Sequence, residues 1–254
     1  MKTALITGTT SGFGKAIALR LAKLGYRLII TGRRKERLDE LTDRLKAEYS
    51  TEVIPLCFDV RDKEACKDAI ASIPENFRNI DVLVNNAGLA AGAAPFDESL
   101  EDDFERMIDT NIKGLLYITK LIVPGMIERQ SGHIVNISSI SGIEVYPNGS
   151  VYCATKHAVN AITKGLRIDL VKHNIKVSSI SPGMVETEFA LVRYHNDEEK
   201  AKAVYKGIVP LNADDIAETL EFIVTRPTHV NIIDIQINPT QQANTYITNR
   251  KQEI

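Results

Sequence analysis

Tyr152 and Lys156 stand four residues apart in a stretch of helical period, so both side chains lie on one helix face. Ser139 closes an apolar, β-branched run, Gly132–Ser139, thirteen residues before the tyrosine. A phenol, an ammonium and a hydroxyl in that order can move a proton to or from an alcohol or carbonyl oxygen. An ordinary tyrosine titrates near ~10, too high for an efficient base at neutral pH. A neighbouring cation favours the phenolate, and each unit of lowering requires about 1.4 kcal/mol. Ser139 would hydrogen-bond the substrate oxygen and stabilise developing charge there. A Tyr-x-x-x-Lys pair alone arises by chance, so the surrounding elements must carry the argument.

Short β-branched runs alternate with longer helical stretches. The strand candidates are Thr3–Thr7, Arg27–Thr31, Glu52–Phe58, Asp81–Asn85, His133–Ser138, Lys176–Ser181 and Ile232–Ile237. Helical stretches lie near 13–24, 35–48, 62–72, 100–128, 150–172 and 213–225. That alternation predicts a single α/β domain over 1–254, a doubly wound, seven-stranded parallel sheet with helices on both faces. Ser139 then sits at the carboxyl end of a strand, where ligands bind in such sheets. Ser99 with Asp102, and Asn212 with Asp215, have the spacing of an N-cap and an acidic third residue, and Pro227 stops the last helix. The polar insertion 184–212 is either a solvated loop or a substrate lid. The tail 239–254 is polar, and either frays or docks on a neighbouring subunit.

Residues Gly8-Thr9-Thr10-Ser11-Gly12-Phe13-Gly14 leave the first strand and open the first helix. Such a turn sets backbone N–H groups and a helix N-terminus against a pyrophosphate. Gly8 allows the sharp exit, Gly12 the approach of phosphate, and Gly14 close packing of helix on sheet. No lysine follows the glycines as a GxxxxGK nucleotide loop requires, which argues against an NTPase. The second strand ends Thr31-Gly32-Arg33-Arg34, with no acid until Glu36. An acid there would repel a 2′-phosphate, whereas arginine holds one by charge-assisted hydrogen bonds. Two cations at a helix start oppose its dipole, which a phosphate partner would explain. The reading is therefore NADP over NAD. The Tyr152–Lys156 pair becomes a proton carrier coupled to hydride transfer, with Lys156 also able to hydrogen-bond the nicotinamide ribose.

The totals are those of an ordinary globular chain. It has 254 residues, 44% hydrophobic and 25% charged, with a formal net charge of -2, so no nucleic acid or membrane partner is expected. Cys57, Cys66 and Cys153 are scattered, fitting neither a disulfide framework nor a metal site, and Cys153 reads as a small buried side chain. The chain opens on the strand-like Lys2–Thr7, and no apolar run could span a bilayer, so a cytoplasmic location is expected.

The TGxxxGxG loop with the Ser139, Tyr152 and Lys156 set resembles the short-chain dehydrogenase/reductase family, from Lys2 to about Pro239. The resemblance implies a fourth catalytic residue, Asn111, supporting a water-linked proton relay through the lysine; read from the residues alone, Asn111 is equally a buried polar group that perturbs a helix. It further implies that Asn86-Ala87-Gly88 passes the adenosine ribose and that Asp59-Val60 contacts adenine. Pro182, Gly183, Val185 and Thr187 would flank the nicotinamide. Segments Thr31–Leu38, Asp109–Leu115, Val185–Phe189, Leu191–Tyr194 and His229–Ile232 are similar to the NADP-dependent 3-hydroxy acid (serine-type) dehydrogenases. That branch implies oxidation of serine- or allo-threonine-like hydroxyls, or reduction of the matching semialdehydes, with Arg193 a candidate for the substrate carboxylate. A general carbonyl reductase and a non-catalytic NADP-binding sensor are the other readings. Segments 111–127 and 151–171 are apolar on more than one face; in the family such helices build a tetramer, which implies a homotetramer.

Overall fold

The computed structural model describes residues 1–251. Among these, seven strands form one wholly parallel sheet: β1 (Thr3–Ile6), β2 (Arg27–Gly32), β3 (Val53–Cys57), β4 (Ile80–Asn85), β5 (Gly132–Ile137), β6 (Ile175–Pro182) and β7 (Asp234–Ile237). Their order is β3-β2-β1-β4-β5-β6-β7. The helices are α1 (Gly12–Lys23), α2 (Lys35–Tyr49), α3 (Lys63–Ala71), α4 (Glu101–Ile108), α5 (Leu115–Glu128), α6 (Ser150–Leu170), α7 (Phe189–Arg193), α8 (Glu198–Ala203) and α9 (Ala213–Val224).

Alternate strand residues face opposite layers. Ala4, Ile6, Leu28 and Ile30 join Leu21, Leu38, Leu45 and Leu220 of α1, α2 and α9 in one core. Leu5, Ile29, Leu83 and Ile134 join Ile118, Met126 and Leu170 of α5 and α6 in the other. Burial on both faces is why these strands read as continuous apolar runs. Pro55 is tolerated because β3 is an edge strand. The doubly wound α/β sheet expected from the sequence is present, strand for strand. The chain winds from β1 out to β3 and then returns past β1 to β4, so a crevice opens at the carboxyl ends of β1 and β4.

Four local expectations change. The stretch 100–128 is two helices joined by a π-helical turn, Asp109–Gly114, an insertion that wins room for Asn111 to turn inward. Ser99 is not the cap of α4. Its hydroxyl turns back to the carbonyls of Ala94 and Pro95 (3.3 and 2.9 Å), Leu100 precedes the helix without a side-chain cap, and Glu101, Asp102 and Asp103 meet the dipole instead. At α9 the capping box is complete: Asp214 N and Asp215 N donate to Asn212 Oδ1, and Asn212 N donates to Asp215 Oδ2. The insertion 184–212 is built rather than loose, carrying α7 and α8. Over 239–251 the tail folds onto its own chain. Met184 N donates to Gln242 Oε1 (2.8 Å), Thr245 donates twice to Glu144 Oε2, and Arg250 donates to the carbonyls of Lys206 and Val204. Its polar groups thus meet the insertion at Met184, Val204 and Lys206 and the loop after β5 at Glu144; residues 252–254 of the tail lie outside the described ones.

Candidate active site

The crevice begins at the glycine loop. Ser11 precedes α1 without a side-chain cap, and the first turn holds no acid, so the helix N–H groups and positive dipole end are open. Asn86 fastens the loop from β4, its Nδ2 donating to the carbonyls of Thr7 (2.8 Å) and Gly8 (3.0 Å). Gly14 allows this: a β-carbon there would collide with the Gly8 carbonyl oxygen and stand 2.6 Å from Asn86 Nδ2. Gly8, Thr10, Ser11, Gly12, Phe13, Ala87 and Gly88 line the crevice beside Asn86. Thr9 is different, being fully buried with its hydroxyl on the Thr31 carbonyl (3.1 Å), so it holds β1 to β2 rather than facing a ligand.

At the far end lie Arg33, Arg34, Asp59 and Val60. Asp59 accepts from Arg61 Nε and Nη2 (2.9 and 2.7 Å). Burial pushes its carboxyl up, but these bonds and the Arg33 charge hold it below the usual range. Arg33 is more than half exposed, whereas Arg34 is bound into the protein. A cradle with open N–H groups and an uncommitted arginine fits a phosphorylated dinucleotide.

The middle of the crevice holds Tyr152 and Lys156. α6 carries Tyr152 and Lys156 on one face, and both are buried. Lys156 Nζ donates to the Ile137 carbonyl at the end of β5 (3.0 Å) and lies 5.9 Å from the Tyr152 ring centre. Burial lowers the ammonium from 10.5 to about 8. Burial, then nearby Tyr146, drives the Tyr152 phenol above the ordinary tyrosine range, while a Ser139 hydrogen bond and the Arg193 charge oppose them. Ser139 lies past β5 and accepts from Ser141 N (3.1 Å). Asn111 is inward but not on the lysine: its Oδ1 accepts from Leu89 N, and its Nδ2 donates to Leu89 O and Thr155 Oγ1. Gly88 lets it sit near Lys156, since a β-carbon on Gly88 would meet Asn111 Oδ1 at 3.2 Å and Lys156 Nζ at 3.5 Å.

Beyond Tyr152 a second cavity of about 460 Å³ is shared by Ser139, Pro182, Gly183, Val185 and Arg193. Pro182, Gly183 and Val185, past the end of β6, line this second cavity, and Thr187 lines both. The Arg193 guanidinium lies over the rings of Tyr146 (5.2 Å) and Tyr194 (6.0 Å), and its buried Nε makes no hydrogen bond. Residues the sequence reading missed are Tyr146, Ser141, Phe189, Glu188 and the tail's Gln242 and Thr245. Glu188 and Phe189 sat in a quoted segment, but nothing marked Tyr146. Cys153 is buried and raised by that burial, as expected of an inert thiol.

The short chain dehydrogenase family model matches residues 2–198, and the chain belongs to that family. It is 45% identical over 241 residues to serine 3-dehydrogenase of Rhizobium radiobacter, covering 95% of each chain. It is 43% identical over 240 residues to the NADP-dependent 3-hydroxy acid dehydrogenase YdfG of Escherichia coli K12, covering 94% of this chain and 95% of that one. Among solved structures, the closed form of serine dehydrogenase complexed with NADP+ superposes with a TM-score of 0.91 at 42% identity, over 98% of this chain and 100% of that one.

The buried ammonium has a consequence for stability. The folded protein binds fewer protons than the unfolded chain between about 8 and 10.5, so stability rises with pH across that window. Lys156→Met should stabilise the cofactor-free protein by about 1–3 kcal/mol at pH 7, an advantage that fades as pH rises through the window. Thermal melts at pH 7 and pH 10 check this; a gain that does not shrink would remove the buried charge as its cause.

Proposed function

We propose that this chain is an NADP-dependent dehydrogenase that oxidises the hydroxyl of small serine- or allo-threonine-like 3-hydroxy acids, or reduces the matching semialdehydes. The observation that carries the reading is one cavity in which Ser139 and Tyr152 share a wall with Arg193. A guanidinium in that wall offers a substrate carboxylate charge-assisted hydrogen bonds. The relatives named for serine and for 3-hydroxy acids support the same substrate class.

NADP, when bound, supplies the hydride acceptor. The chain's residues do the rest. Gly8, Thr10, Ser11, Gly12 and Phe13 hold the pyrophosphate end, and Asn86, Ala87 and Gly88 flank the path to the ribose. Arg33 meets the 2′-phosphate. Thr187 and Lys156 border the nicotinamide end. Tyr152 moves the proton at the substrate oxygen, taking it in oxidation and giving it in reduction. Ser139 hydrogen-bonds that oxygen, and the Lys156 ammonium favours the phenolate. Asn111 acts by position, tying the Leu89 loop to α6.

A general carbonyl reductase is the second reading, favoured by the apolar wall of Ile140, Met184, Phe189 and Val204 in the same cavity. Among the described residues no helix is long and apolar enough to cross a membrane, and three free cysteines suit a reducing, cytoplasmic setting. We also propose a homotetramer. Ile168 on α6 is 73% exposed and Val171 beside it 67%, apolar area that a second copy would cover.

Absorbance of the reduced cofactor over a panel of 3-hydroxy acids and matching simple alcohols tests the substrate. Arg193→Met should raise KM for the acids about 10- to 100-fold and leave simple alcohols alone. An equal loss on both would favour the general reductase. Tyr152→Phe should keep NADP affinity and lose about 10²- to 10⁴-fold or more in turnover; retained turnover would take the tyrosine out of the mechanism. Sedimentation should give a tetramer that Ile168→Glu breaks into smaller species, and a monomeric parent would end the assembly proposal.

A further inference from the structure

Arg33 and Arg34 are neighbours in sequence but not in circumstance. Of the five guanidinium N–H groups of Arg34, four hydrogen bonds are made within the protein. Nε and Nη2 both donate to Thr10 Oγ1 (3.1 and 2.9 Å), Nη2 also donates to Ser11 Oγ (2.9 Å), and Nη1 donates to Glu188 Oε2 (2.9 Å). Arg37, one turn along α2, donates to the other oxygen of Glu188 (2.6 Å). Among the described residues the Arg33 guanidinium pairs only with Asp59, at 3.5 Å, and that carboxylate is already held more closely by Arg61.

Glu188 belongs to the segment leading into α7, on the opposite wall of the crevice from α2. The residues on either side of it show where that segment runs. A β-carbon on Gly12 would touch Thr187 Cβ at 3.6 Å, so Thr187 lies directly against the pyrophosphate loop. The Phe189 ring packs edge-on to Tyr152, their centres 5.7 Å apart. The segment 187–189 therefore roofs the crevice from the glycine loop to the catalytic tyrosine. A dinucleotide reaching from Arg33 to Tyr152 passes beneath it.

We propose that the two arginines divide the work on the cofactor. Arg33 alone discriminates the 2′-phosphate, while Arg34, with Arg37 and Glu188, forms a clasp that holds the roof shut over either dinucleotide. The inference rests on the NADP reading above and deepens it. The clasp is also the reason an acid is tolerated so near a pyrophosphate. Two guanidinium groups share one carboxylate, leaving the wall net positive. Arg34 is a positioning residue. Its cation at the start of α2, unfavourable to the helix dipole by itself, is offset by Glu188.

The test is direct binding, independent of turnover. Fluorescence titration gives Kd for NADPH and NADH, and stopped-flow displacement gives their dissociation rates. The wild type should prefer NADPH. Arg33→Ala should weaken NADPH about 10- to 100-fold and leave NADH within about twofold. Glu188→Gln should speed dissociation of both dinucleotides by a similar factor, about three- to tenfold, and leave the NADPH-to-NADH ratio unchanged. Arg37→Ala, which breaks the clasp from outside the crevice, should act in the same direction, and circular dichroism of each variant checks that it is folded. Loss of both dinucleotides alike in Arg33→Ala overturns the division. So does a Glu188→Gln variant that dissociates at wild-type rates or changes NADPH alone. A wild type with no preference for NADPH overturns the cofactor reading itself, a result separable from the other two.

Discussion

Everything at this site hangs from one interlock where the sheet reverses its winding. Asn86, just beyond β4, donates to the carbonyls of Thr7 and Gly8 just beyond β1, and the Thr7 hydroxyl accepts from the backbone N–H groups of Asn86 and Ala87. Two strands far apart in sequence are thereby joined at their carboxyl ends, the one place in a doubly wound sheet where no crossover helix covers the edge. The interlock fixes the glycine loop, which aims the N-terminus of α1. It also fixes Gly88, whose missing side chain gives Asn111 and Lys156 their shared space. A crevice made this way is rigid on its floor, so adjustment is left to its roof.

The same floor explains how a charged group is kept inside. Lys156 gives one hydrogen bond to the Ile137 carbonyl and is otherwise desolvated, which draws its ammonium down to about 8. A structure selected for stability alone would place an apolar residue there. The neighbouring polar ladder is largely paired by contrast, although Asn85 Oδ1 makes no hydrogen bond. Asn85 Nδ2 donates to Thr119 Oγ1 and to Asn136 Oδ1, and Asn136 Nδ2 donates on to Thr163 Oγ1. That ladder ties β4 and β5 to α5 and α6, so the helix carrying Tyr152 is held in register by bonds that bury no net charge. Cost and support sit side by side, and the buried charge is the one that lines the crevice.

The strands and their faces were legible because burial on both sides leaves a signal in each residue. The glycine loop was legible because backbone approach admits no side chain at Gly14. What was not legible depends on pairings between distant residues. The π-helical turn at Asn111 is invisible to a 3.6-residue period. Ser99 has the spacing of a cap, yet the preceding tight turn, Phe96–Glu98, offers its hydroxyl nearer carbonyls. The tail was too polar to suggest a core, and its contacts are hydrogen bonds to backbone that only folding reveals. Arg33 and Arg34 looked alike because sequence shows charge and not partner. Glu188, more than 150 residues away, distinguishes them.

The short run from Thr187 to Arg193 then acquires a meaning that neither pocket gives by itself. Thr187 borders the glycine loop, Glu188 reaches the arginines of α2, and Phe189 meets the catalytic tyrosine. Arg193, at the end of the same helix, lines the second cavity. The roof contacts and Arg193 therefore belong to one short, continuous segment. The Arg193 backbone is pinned at its far end, its carbonyl accepting from Gly92 N, while His195 just beyond reaches buried Asp103 of α4. On the proposed function, a carboxylate at Arg193 in one cavity and a dinucleotide in the other would bear on the same segment, which is the condition for coupling between them.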